Sequence, residues 1–195
     1  RLGAPRPVVA VLSTGDEVVP PGEARGPGQI YDSNGPTVAA LVLRAGGEPL
    51  LLPPVRDRES DLAARLHEAQ ARADLIVTSG GVSVGDFDLV KNVLASHGQM
   101  DFWWVNMKPG KPLAFGRLGD VPLLALPGNP VAAMLSFYLF GRPAVAKMRG
   151  LRDWAPESCT GQMHMPGGTV DLGLPEMSPE SAAFAGARSL LIGVT

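Results

Sequence analysis

Apolar residues along this chain fall into short β-branched runs separated by stretches in which they recur every three or four positions. The runs lie at 8–12, 49–52, 75–78, 102–107 and 121–126, and their alternation with helical periodicity is the pattern of βαβ units. Helices are expected at roughly 35–45, at 61–73, from Asp86 or Asp88 to 96, and from Pro130 to about 148. Asp32-Ser33-Asn34 offers N-cap side chains for the first of these, Ser60 for the second, and Asn129 with Pro130 for the last, while Gly46-Gly47 supplies a C-terminal stop. Residues 112–115 and 121–126 read as two strands joined by a tight turn, so one strand of the sheet is expected to be antiparallel. Beyond Gly150 the helical period disappears and Gly and Pro accumulate. The expected organisation is therefore an α/β domain over 1–149 and a small β-domain, or part of one, over 150–195.

Composition narrows the classes of function. With 195 residues, 45% of them hydrophobic, the chain can bury one α/β core and retain length for a smaller unit. A net charge of −2 gives no basic surface for sequence-independent nucleic-acid binding. One cysteine excludes an intramolecular disulfide and any multi-cysteine metal site, and the three histidines, His67, His97 and His164, have no ligand spacing. No apolar run approaches the ~20 residues that span a bilayer. A cytoplasmic protein without membrane or nucleic-acid partners is the expectation, and a start at Arg1 is expected of a piece of a longer chain.

The candidate chemistry lies in loops that follow or interrupt the strands. Ser13-Thr14-Gly15-Asp16-Glu17 places two adjacent acids after the first strand, where they form either a solvated turn or oxygen ligands for Mg²⁺. Asp74 opens the third strand, and Ser79-Gly80-Gly81-Val82-Ser83-Val84-Gly85-Asp86-Phe87-Asp88 follows it. Its glycines let backbone N–H groups approach a ligand, and its acids suit a divalent ion that bridges to phosphate. The same acids also suit a helix start, with Asp86 as cap and Lys91 pairing with Asp88. Lys108-Pro109-Gly110-Lys111-Pro112 holds two ammonium groups in a proline-framed bend, an arrangement relieved by an oxyanion between them. Leu126-Pro127-Gly128-Asn129-Pro130 ends a strand and opens a helix, whose first N–H groups favour an anion. Trp103 and Trp104, on adjacent strand positions, face opposite sides of the sheet and read as packing residues.

In their order and combination these loops, together with Gln29-Ile30-Tyr31-Asp32-Ser33-Asn34, resemble the molybdopterin molybdenumtransferase family (MoeA and the E domain of gephyrin) over roughly 7–148. The resemblance implies a three-layer α/β/α molybdopterin-binding domain with a mostly parallel mixed sheet, followed by a small β-domain. It implies a homodimer, with molybdate and molybdopterin-AMP as substrates and Mg²⁺ as cofactor, and AMP released as the metal enters the dithiolene. Carried over by motif, Asp88, Asp74, Lys108 and Lys111 would be catalytic. Ser79, Gly80, Gly81, Ser83, Pro127, Gly128 and Asn129 would bind the cofactor, and Glu17, Asp86 and Asp88 the metal. Two features depart from the family pattern: Ala132 stands where many relatives carry Ser, and in the tail only Ser178 and 189–192 resemble the usual β-domain. Two other readings use the same fold, a non-catalytic scaffold or dimerisation module and a molybdopterin adenylyltransferase; an adenylyltransferase of the pathway is also an expected partner.

Overall fold

The computed structural model describes residues 6–80, 93, 98–104, 112–154, 163–165 and 168–170. The chain divides into two units, Arg1–Trp154 and Ala155–Thr195. In the first, six strands form one sheet: β1 (Val8–Ser13), β4 (Glu48–Leu51), β5 (Leu75–Ser79), β6 (Gly98–Trp104), β7 (Pro112–Leu118) and β8 (Val121–Leu126), in the order β4-β1-β5-β8-β7-β6. Strands β4, β1, β5 and β8 are parallel to one another, and β7 pairs antiparallel with both β8 and β6. Thus β7 alone runs against the rest of this sheet, in keeping with the mostly parallel mixed sheet expected. A separate pair, β2 (Val18–Val19) and β3 (Ile30–Tyr31), leads into the first helix.

Alternation along the strands sends side chains to two cores. Val9, Val11, Leu75, Val77, Leu124 and Leu126 face one side, where Val38 and Val42 of α1 (Asn34–Ala45), Phe137 and Val145 cover them. Ala10, Leu12, Ile76, Leu123 and Ala125 face the other, against Leu62, Leu66 and Ala69 of α2 (Glu59–Arg72) and Val93. The result is three layers. The chain goes from β1 through α1 to β4 on one side, then through α2 back across β1 to β5. Right-handed crossovers in opposite directions put α1 and α2 on opposite faces and leave a reversal of strand order between β1 and β5. In open α/β sheets, the carboxyl ends flanking such a reversal border the crevice in which ligands bind.

Local signals account for most helix ends. Gly46, at φ 85°, closes α1 in the left-handed conformation that favours glycine, and Gly46 and Gly47 donate to the carbonyls of Leu43 and Val42. At the other end of α1 the cap is Asp32: its Oδ1 accepts from Gly35 N at 2.9 Å, whereas Ser33 makes no capping bond. Ser60 does not cap α2, because the helix already begins at Glu59; its hydroxyl instead donates to Asp61, and Glu59 and Asp61 in the first turn oppose the helix dipole. Asn129 does cap the last helix, accepting from Ala132 N at 3.1 Å.

That helix is not uniform. It runs as α3 (Pro130–Ser136), a π turn at Phe137–Gly141, and α4 (Arg142–Met148). Pro143 cannot donate to the carbonyl one turn back, and Arg142 N reaches Phe137 O, so the turn widens where an ordinary ladder would fail. Gly141 leaves room for the buried Phe137 ring, with which a Cβ would collide. Of the strand expected over 102–107, residues 102–104 belong to β6, which begins earlier, at Gly98, because it pairs residue for residue with β7 from Gly98 opposite Leu118 to Trp104 opposite Pro112; 105–107 lie outside the described residues. In the second unit, β9 (Met163–Met165) and β10 (Gly168–Val170) form an antiparallel pair, with His164 in β9 opposite Thr169.

Candidate functional site

The carboxyl ends of β1, β5 and β8 meet at one edge of the sheet. The ladder sets Ser13 opposite Ser79 and Ser79 opposite Leu126. Just beyond it, Thr14 N donates to Ser79 O at 2.9 Å and Gly80 N to Leu126 O at 3.2 Å. Gly80 has φ 87°, and a Cβ there would lie 2.6 Å from Thr14 O and 3.0 Å from Thr14 Oγ1. Only glycine fits this turn without strain. Gly128 packs on the other side, where a Cβ would stand 3.5 Å from Gly80 Cα. Three turns thus approach backbone to backbone, as close contact with a ligand requires.

Side chains tie these turns to the start of α1. Asn34 Nδ2 donates to Ser79 Oγ at 2.8 Å and to Gly128 O at 2.7 Å, and Ser79 Oγ donates to Pro127 O at 3.3 Å. Buried Asp32 accepts from Ser13 Oγ at 2.8 Å as well as from Gly35 N, fixing the helix entry to the end of β1. Among the described residues, two buried atoms here, Thr14 Oγ1 and Asn34 Oδ1, have no hydrogen-bond partner, and neither do Thr78 Oγ1, Ser136 Oγ and Arg149 Nε elsewhere. Unpaired buried polar atoms are therefore not confined to this edge, but the two here stand beside its turns.

The acidic turn adjoins this edge. Gly15 N donates to Val55 O, and a Cβ on Gly15 would lie 2.6 Å from Glu17 Oε2, so the Glu17 carboxylate folds back over its own turn. Asp16 and Asp57 each receive a hydrogen bond from the other's amide: Asp16 N reaches Asp57 Oδ2 at 3.4 Å and Asp57 N reaches Asp16 Oδ1 at 3.2 Å. The oxygens gathered here belong to carboxylates, the kind of ligand atom a hard cation such as Mg²⁺ takes. Among the described residues, however, no three acidic, His or Cys side chains gather as a metal cluster.

Of the residues expected at the site, the structure brings Glu17, Ser79, Gly80, Pro127, Gly128 and Asn129 to this edge. Asp74 does not join them. It precedes β5, where its carboxylate accepts from Val8 N at 2.8 Å and its own amide donates to Val8 O. The five residues of β5 separate it from the glycine turn by about 17 Å of extended chain. Gly81, Ser83, Asp86, Asp88, Lys108 and Lys111 lie outside the described residues, as does Lys91. Motif and spacing do not single out Asn34 or Asp57 as site residues, and they present Thr14 only as part of a loop. The one signal the sequence holds for them is a polar residue just after a strand, or opening a helix beside it.

Glycine turns converging at a strand-order reversal, with an acidic turn and helix starts beside them, are the arrangement of a ligand-binding α/β domain. The chain belongs to the family described as probable molybdopterin binding domain, which it matches over residues 10–147. It is 46% identical over 146 residues to the molybdopterin molybdenumtransferase of Haemophilus influenzae, covering 75% of this chain and 36% of that protein. It is 35% identical to gephyrin of Dictyostelium discoideum, over 74% of this chain and 24% of that one. Among solved structures, the MoeA protein of Pyrococcus horikosii superposes with a TM-score of 0.68 at 35% identity, covering 74% of this chain and 36% of the other. The chain therefore spans about a third or less of the length of these relatives. They support a role in molybdenum cofactor biosynthesis and the resemblance to the MoeA and gephyrin group. No described helix is long and apolar enough to cross a membrane.

Proposed function

We propose that this chain supplies the molybdopterin-binding part of a molybdopterin molybdenumtransferase, an enzyme that transfers molybdenum from molybdate to adenylylated molybdopterin with release of AMP. The observation that carries the reading is the convergence of the Thr14–Gly15, Ser79–Gly80 and Pro127–Gly128 turns at the strand-order reversal, in a chain whose family is named for molybdopterin binding. Glycine at 80 and 128 lets backbone approach the ligand, and Ser79 and Asn129 contribute the adjoining polar groups; Gly81 and Ser83, which follow in sequence, join them in binding it. Lys108 and Lys111 hold the oxyanion, molybdate or phosphate, whose charge relieves their mutual repulsion.

Glu17, with Asp86 and Asp88, would hold Mg²⁺, which supplies charge neutralisation for the phosphate. Asp88 also orients the water that breaks the bond between the two phosphates, so that AMP leaves and the pterin keeps its own phosphate. Asp74, at the far ends of the strands, has no part in this scheme. The working protein is a cytoplasmic homodimer in which other segments complete the site, and residues 150–195 belong to a small β-domain.

Lys108→Ala in the full-length parent protein tests the assignment through conversion of molybdopterin-AMP and molybdate to molybdenum cofactor. A loss of about 100-fold in turnover is expected, comparable to deleting one donor from an oxyanion site. Wild-type turnover by the folded variant overturns the assignment.

A further inference from the structure

The ladder between β5 and β8 ends at Ser79 opposite Leu126, yet the turns beyond it stay in register. Gly80 N adds one backbone bond to Leu126 O. The rest comes from a third segment, through Asn34, the first residue of α1. Its two Nδ2 hydrogens diverge, one to Ser79 Oγ at 2.8 Å on the first turn and one to Gly128 O at 2.7 Å on the second. A carbonyl oxygen only accepts, so Gly128 fixes which end of the amide points inward. Ser79, accepting from Asn34, passes its own hydrogen to Pro127 O at 3.3 Å. The bonds form one directed chain, from the helix start through β5 to the β8 turn.

We propose that Asn34 is a positioning residue, a two-pronged latch that sets the separation of the Ser79–Gly80 and Pro127–Gly128 turns and so preforms the crevice for its ligand. The inference rests on the molybdopterin reading of that crevice and goes beyond it by assigning the residue that holds the crevice open at fixed width. The chemistry demands an amide. Serine offers one hydrogen, and an ionised aspartate offers none while turning a negative oxygen toward the Gly128 carbonyl. Asn34 Oδ1, buried and unpartnered, shows that the side chain is oriented by its two donors, not by a bond to its acceptor.

The test compares Asn34→Asp, Asn34→Ala and Ser79→Ala in the full-length parent protein, with molybdopterin as the probe. Binding is measured where circular dichroism shows each variant fully folded. For Asn34→Asp an affinity loss of at least tenfold is expected at pH 8. The ratio to wild type should recover as the pH falls to about 4, the ordinary range of a carboxyl group, where the protonated form regains one donor. Ser79→Ala, which keeps the Gly128 prong, should lose less than Asn34→Ala. Wild-type affinity in folded Asn34→Ala, or a pH-independent deficit in Asn34→Asp, overturns the latch. Should Asn34→Asp fail to fold, Asn34→Ala decides the question alone, through its affinity and through hydrogen exchange at the Gly80 amide. If wild-type protein does not bind molybdopterin, the functional reading falls separately. The latch is then judged by hydrogen exchange at the Gly80 amide: faster exchange in Asn34→Ala upholds it, and an unchanged rate overturns it.

Discussion

The two ends of the parallel strands are built on opposite terms. At the amino ends, Asp74 and Val8 exchange two hydrogen bonds, and Glu48 N donates to Pro7 O. Pairing between the strands there is reciprocal. At the carboxyl ends the chain makes tight glycine turns, joins them through Asn34 and Ser79, and leaves Thr14 Oγ1 and Asn34 Oδ1 buried without partners. One end closes the sheet; the other holds back hydrogen-bonding capacity at some cost in stability. A carboxylate therefore says little about chemistry until the end of the strand it occupies is known.

The contrast can be broken most severely at Gly80. In Gly80→Val a β-branched residue is forced to φ 87° with its Cβ against Thr14 O. Left-handed strain and overpacking together should remove about 3 kcal/mol of stability. Urea denaturation would measure this, and a loss under about 1 kcal/mol would mean that the three turns are not rigidly joined.

A smaller loss, about 2 kcal/mol, is expected for Asp32→Ala, which strips the acceptor from both Ser13 Oγ and Gly35 N. Thermal unfolding would register it, and molybdopterin binding should weaken too, because the start of α1 carries Asn34. Stability loss with unchanged binding would detach the helix entry from the site.

Asp74→Ala sharpens the comparison from the other side. Its bond to Val8 N is exposed, so removal should cost about 1 kcal/mol by urea denaturation. Molybdopterin affinity of the parent protein should not change. A tenfold loss of affinity would return Asp74 to the site and erase the distinction between the two ends.

How much of this is legible in the sequence depends on the distance over which each residue acts. Val9, Val11, Ala10 and Leu12 declare their two faces by alternation, and Gly46 and Asn129 announce helix ends through neighbours a few residues away. The single reversed strand follows from a short turn at 119–120. Asn34 is legible as a helix start, but its partners lie 45 and 94 residues further on. Asp16 and Asp57 meet across 41 positions. Asp74 misleads for the complementary reason: it is near Ser79 in sequence, but an extended strand carries neighbours apart faster than any other element. The π turn stays hidden because Pro143 reads as an N-terminal or broken-helix signal, and the helix absorbs it by widening.

The reversal of strand order between β1 and β5 also governs when the protein becomes able to hold anything. On the proposed reading, a molecule seated in that gap touches residues near 14, 34, 80 and 128, so most of the first unit must already be assembled around it. During synthesis, no nascent chain ending before Gly128 has the full grip, and occupancy then stabilises the sheet as a whole and not any one segment. On that reading, capture of the cargo is a late event, and a certificate that the last parallel strand has found its place.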